Sequence, residues 1–482
     1  MKKVLIVVCA LLLALPAVSF AGSATSRWDL TIGGFVKVDA GYTNQAAGPS
    51  PSGLEQYFPD RNNSNGNQNA SNKAGSFGMA TGQTTLNFLV KGPDTWGAKT
   101  TAFVQGNFVG QTNNNGTNTG TRTGTFTLSH AYMDFTWAST KLTVGQNWQL
   151  WGFQPSYTFL GLYDLLMAGR GNTVPQISIT QNFTKSFYAS FGIQEPYNFK
   201  DQNGGSANLG LANNFQTGTG INTTAGAGTN TRVTSQMPDF AAEIGFKSDA
   251  CGRIGPNIMQ FAVGGFWGQD TLINIDPTSS ARTTYNSQHL NRWGAAFKGF
   301  VPIIPEKNLN KAGALSVSGS VFSGQNLANW FLGARNIISL IPYDRPGANA
   351  DYAVPVTTGG WAQVSYYFTD KVYTNGLFGY NRNYESAIYK EIYPNQINQW
   401  QQWIINVIYD VNPAVRFGVE YSYTAATFNG KGLNNGGNAA PFNGQLAGYG
   451  VPGGSTATPG TATYLDSKGS VQNGRISFWY FF

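Results

Sequence analysis

What constrains this chain most is the order of its connectors. From residue 22 onward, stretches in which apolar and polar residues alternate are joined by a long polar connector, then by a tight turn, then by a long connector again. The segment between Tyr42 and Gln83 carries DRNNSNGNQNASN, and the next connection is the tight GPDTWG turn at 92–97. After it comes a polar run at 110–124, followed by the short turn at 138–140. In a soluble sandwich connector lengths have no reason to alternate, whereas a sheet closed across a membrane has short turns on one side and long loops on the other.

The stretches themselves are strands by their period of two. Leu30, Ile32, Val36, Val38, Ala40 and Tyr42 share one face; Thr31, Phe35, Lys37 and Asp39 share the other. Further strands are expected at 83–91, 98–108, 125–137, 187–194, 240–247, 258–267, 289–301 and 314–324, then at 360–368, 372–380, 400–409, 415–427 and 471–482. With one starting at Leu142 and one at Thr173 they make sixteen, an even number that puts both termini on the same side. Backbone polar groups find no water in hydrocarbon, so a spanning sheet must close, and the last strand is expected to pair with the first. In that last strand Gly474, Ile476, Phe478, Tyr480 and Phe482 would face lipid, and Asn473, Arg475, Ser477 and Trp479 the lumen. Trp137, Trp148, Tyr380, Phe428 and Tyr480 fall near strand ends, where amphipathic rings suit the headgroup level.

Residues 1–21 combine Lys2 and Lys3, an apolar run from Val4 to Leu15, Pro16 and a small-residue end, the pattern of a signal peptide, leaving 22–482 as one domain. Beyond it no run of eighteen apolar residues occurs, which argues against membrane-spanning helices. Cys9 falls in the leader and Cys251 is then alone, so neither an intramolecular disulfide nor a cysteine zinc site is expected. A formal charge of +7 on 482 residues, with only 11% charged side chains, is not a nucleic-acid pattern. The Asn/Asp tract at 60–69 reads as solvated loop rather than a calcium site.

One long connector differs from the rest. Within LTVGQNWQLWGFQPSYTFLGLYDLLMAGRGNTVPQISITQNF, 142–183, the strand pattern breaks at Gly152 and Pro155, and Leu160, Leu162, Tyr163, Leu165, Leu166 and Met167 then need cover. Residues 151–172 are expected to fold back inside the barrel and narrow it, with Tyr163, Asp164 and Arg170 at the narrowing. A short helix packed on the rim is the other reading, since helical spacing of apolar residues is a common cause of such a pattern.

The ISFWYFF ending with its terminal Phe482, the sixteen strands and the unusual loop after the fifth make the chain resemble the Gram-negative trimeric porins over its whole mature length. The resemblance implies an all-β transmembrane barrel in the outer membrane, in contact with its lipid and lipopolysaccharide. It implies a water-filled channel for passive diffusion of small hydrophilic solutes and ions, a homotrimer, and residues 151–172 as the constriction loop. Phe478, Tyr480 and Phe482 would be the assembly signal read by the barrel-assembly machinery. The family's acidic PEFGGD-like loop motif is absent, and Asp164 and Arg170 are the loop's only charges. No cofactor is implied.

Alternation puts Lys37, Lys99, Arg292, Lys298, Arg416 and Arg475 on the inner face against Asp39, Asp134, Glu243 and Glu420. Six bases against four acids predict at most a weak anion preference, with Lys37, Arg416 and Arg475 tipping the balance. His130 and His289 are the only histidines, and neither has a second histidine at metal-ligand spacing. His130 and Asp134 on one strand face lie about 13 Å apart, too far for a catalytic pair, so no enzyme is expected. A substrate-specific channel and a structural or adhesive barrel are the alternatives. The first should show an aromatic slide or a dense Lys/Arg cluster, and neither stands out.

Overall fold

The computed structural model describes residues 28–482, except 46–48, 51–52, 55–60, 64–74, 111–124, 153–154, 160–172, 197–229, 236, 276–284, 328–337, 341–350, 354, 386, 388–389, 391–396, 431 and 434–463. Its sixteen antiparallel strands form a closed barrel. They are β1 (Asp29–Thr43), β2 (Ser76–Ala80 with Thr85–Lys91), β3 (Lys99–Gly110), β4 (Thr125–Thr136), β5 (Thr140–Trp148), β6 (Thr173–Asn182), β7 (Phe187–Gln194) and β8 (Asp239–Ile254). The series continues with β9 (Asn257–Ile275), β10 (Tyr285–Ile304), β11 (Leu315–Gln325), β12 (Val356–Tyr367), β13 (Val372–Tyr384), β14 (Ile397–Asn412), β15 (Val415–Phe428) and β16 (Tyr464–Phe481). Each strand pairs with its sequence neighbours, and β16 closes on β1 in a register from Phe35↔Phe481 to Thr43↔Asn473. Phe482 completes the seam, its N–H donating to the Gly34 carbonyl and its own carbonyl accepting from Gly34, both at 3.1 Å. With no free edge, the backbone groups of the strands are satisfied inside the sheet, the condition for crossing hydrocarbon.

Alternation sorts the two faces as the physics of the bilayer requires. Many outward residues are large, apolar and uncovered, Ile244 reaching 66% exposure, while Lys37, Asp39, Glu243, Arg292, Glu420 and Arg475 are buried within. The first and last strands have the faces expected of them: Leu30, Ile32, Val36 and Tyr42 point out on β1, and Ile476, Phe478, Tyr480 and Phe482 on and after β16.

Several strands outrun their expected ends on the side of the long connectors. β9 continues to Ile275, β13 to Tyr384, β10 starts at Tyr285 and β16 at Tyr464, and Ser76–Ala80 pairs with β1 inside a stretch expected to be loop. Above the hydrocarbon both faces can be polar, so the alternating signal fades while the backbone ladder goes on. The turn expected at 251–256 shrinks to Gly255–Pro256, because β8 runs on through Cys251 with a register shift between Ser248 and Arg253. Phe428, expected at the membrane interface, packs inward against the Trp400 and Ala426 cluster. The leader expected at 1–21 lies outside the described residues.

Candidate functional site

Across β12–β16 and β1 the register lines up inward residues in rows. One row is Tyr367, Tyr373, Ile408, Gly418, Ser477 and Asp39; the next is Ser365, Asn375, Asn406, Glu420 and Arg475. The chain leaving β5 lies against these rows, on the far side of the barrel from its own strand. Trp151 is fully buried and stacks on Phe266 at 4.9 Å, in a cluster with Phe322 and Leu327. The Tyr157 N–H donates to Gln363 Oε1 at 2.9 Å, and its carbonyl accepts from Asn406 Nδ2 at 2.6 Å. The Phe159 N–H donates to Glu420 Oε2 at 2.9 Å, its carbonyl accepts from Lys37 Nζ, and its ring meets Trp479 edge-on at 5.1 Å. Residues 151–152 and 155–159 thus hold to the inner wall from β9 round to β1.

The wall is cut to receive these two rings. A Cβ on Gly418 would overlap the Phe159 ring, and one on Gly294 would come within 2.6 Å of Trp151. Phe159 then sits over Tyr367, Tyr373 and Ile408. Burying a ring of this size stabilises by about 1.5–3 kcal/mol, and each bond to a charged group adds about as much. The connector is therefore tied down by apolar contact at Trp151 and by apolar contact and buried charge at Phe159.

The ten expected wall residues all take the inner face, but most of them are met there by an opposite charge. Lys37 bonds Asp39 at 3.3 Å and Gln83 Oε1 at 2.5 Å with its ammonium over the Trp479 ring, and Asp39 also accepts from Ser477. Arg292 lies between Asp239 at 2.7 Å and Asp270 at 3.2 Å, all three buried. Lys298 pairs with Glu243 at 2.8 Å, which also accepts from the Tyr188 hydroxyl. Arg416 pairs with Asp410 at 2.5 Å, not with Glu420. Asp134 accepts from Thr143 and faces Lys141 at 3.6 Å, Arg475 is buried beside Glu420 in the register, and Lys99 is exposed at the turn end of β3. Tyr163, Asp164 and Arg170 lie outside the described residues.

Sequence reasoning missed Asp239, Asp270 and Asp410, which lie just past the strand ends assigned from alternation, and each is bonded to one of the six bases. They remove the excess of six bases over four acids. It also missed Trp151, Tyr157 and Phe159 as anchors; the paired glycines Gly294 and Gly418 carried that information, but only the fold brings each beside its ring.

The inner face is unequally covered. From β11 to β16 its residues are almost all buried, as in Ser318, Gln363, Asn375, Gln402 and Ser422. On β2–β4, Asn87, Leu89, Thr101, Phe103, Gln105, Tyr132 and Asp134 are only partly buried.

No protein-family model and no curated protein matches the sequence. Among solved structures, the outer membrane channel DcaP of Acinetobacter baumannii matches over 96% of this chain and 99% of its own, with a TM-score of 0.58 at 13% identity. An anion-selective porin from Comamonas acidovorans matches over 94% and 100%, with a TM-score of 0.49 at 10% identity. OmpT of Vibrio cholerae matches over 94% and 98%, with a TM-score of 0.45 at 10% identity. The chain has the fold of Gram-negative outer-membrane channels, a closed barrel of sixteen strands.

Proposed function

We propose that this barrel is a diffusion channel of the outer membrane, through which small hydrophilic solutes and ions pass without energy input. The observation that carries the reading is the connector after β5, whose residues 151–152 and 155–159 lie inside the barrel on the β9-to-β1 wall while the β2–β4 wall opposite stays open. A connector serving only the surface would have no use for a glycine-cut seat inside. Residues 151–172 act as the constriction loop, with Tyr163, Asp164 and Arg170 in its later half.

The channel has a weak anion preference at most. With Lys37 and Arg292 held in buried ion pairs, the bases that reach water on the open wall are Lys99 and Lys141. A screening length of about 8 Å at physiological ionic strength keeps even these effects local. Purified protein in planar bilayers should conduct KCl and give a small anion-side reversal potential in a salt gradient, reduced in Lys99→Gln with Lys141→Gln. A barrel that inserts and passes no current would support the structural or adhesive reading instead.

A further inference from the structure

We propose that solutes pass along β2–β5 and that Phe103 and Tyr132 form a stacking surface there for neutral hydroxylated rings, the chemistry of sugars; this rests on the channel reading above. Leu89, Phe103, Tyr132 and Gly145 follow one another across the inner face in a single row of the register. The Phe103 and Tyr132 rings stand 5.5 Å apart and are only partly buried. Elsewhere the inner face mostly hides its large apolar side chains: Trp361, Leu377, Trp400 and Ile404 are all buried. Apolar surface left in water costs about 25 cal/mol per Å², so an uncovered row is where a passing solute with an apolar face gains by contact.

The surroundings select the class of solute. His130, buried, meets Phe103 at 6.0 Å, Tyr132 at 6.1 Å and Trp148 at 4.8 Å, which backs the two rings and holds their tilt. Gly145 ends the row beside Tyr132 without a side chain: it has a φ of 125°, and a Cβ there would overlap the Ala131 carbonyl. The adjoining row toward the long connectors carries Asn87 and Gln105, whose amides can both donate to and accept from hydroxyl groups. The row on the other side carries Asp134, whose charge is met by Lys141 at 3.6 Å. A ring with one C–H face and hydroxyl edges matches these three rows better than an ion does.

The test is current block in planar bilayers in KCl, comparing maltotriose with a polyethylene glycol of equal hydrodynamic radius, for the wild-type full chain, Phe103→Ala and Tyr132→Ala. Block by the sugar at lower concentration than by the polymer is expected, with the half-blocking concentration raised about 3- to 10-fold in each variant, the size of one aromatic contact. Tyr132→Phe should block as the wild type does. Should Tyr132→Ala not fold, Tyr132→Leu, which keeps bulk without a ring, carries the same expectation. Equal block by sugar and polymer, or unchanged sugar block in conducting variants, would overturn the stacking surface and leave the channel standing. Absence of KCl current in the wild type would overturn the channel and this surface together.

Discussion

Glu420 accepts from the Phe159 N–H at 2.9 Å, across 261 residues of chain, and from the Asn406 amide on the neighbouring strand at 3.0 Å. Replacing it with alanine leaves two donors unanswered inside the barrel. Glu420→Ala should lower stability by about 1.5–3 kcal/mol, the range for a hydrogen bond to a charged group. Urea unfolding in micelles, followed by tryptophan fluorescence, measures it, and an unchanged midpoint would speak against the tie. That Glu420 and Lys37 face inward was legible from the period of two. That they hold the loop was not, because their partners on Phe159 are backbone atoms of a segment 261 and 122 residues away.

The strands make a sharper claim about their outer surface. Ile244 on β8 pairs with Val263 on β9, which pairs with Phe297 on β10, and all three are exposed on the side read as facing lipid. Arginine on the lipid face near the bilayer midplane costs about 2–4 kcal/mol. Ile244→Arg should therefore lower the stability of the folded barrel in lipid vesicles by about that much, as read from guanidine titration, while an effect near zero would mean that β8 does not face lipid. Element existence and faces were plain in the sequence, since an alternating strand shows both. Strand ends were not: Asp270 and Asp410 belong to ladders that continue after the apolar pattern has stopped.

At the scale of the molecule, closure and the alternating connectors follow from one requirement, that no backbone group be left unpaired in hydrocarbon. The connector pattern carried that in one dimension, which is why the barrel could be read before the structure. The unequal lining of the lumen could not, since it depends on which wall the β5–β6 connector chooses. We further expect a homotrimer, packed through the smaller outward side chains of the early strands such as Val38, Ala40 and Ala102; light scattering in mild detergent giving a monomer mass would contradict it.

We expect water and solutes to run along β2–β5 and not along the wall that the connector covers. This is tested by single cysteines in a Cys251→Ser background, modified during current recording by a membrane-impermeant methanethiosulfonate. Gln105→Cys should react within the recording and cut the current, whereas Asn375→Cys, on the buried wall, should stay unmodified. Rapid modification and equal block at residue 375, with residue 105 silent, would place the path on the wrong side of the barrel for this account.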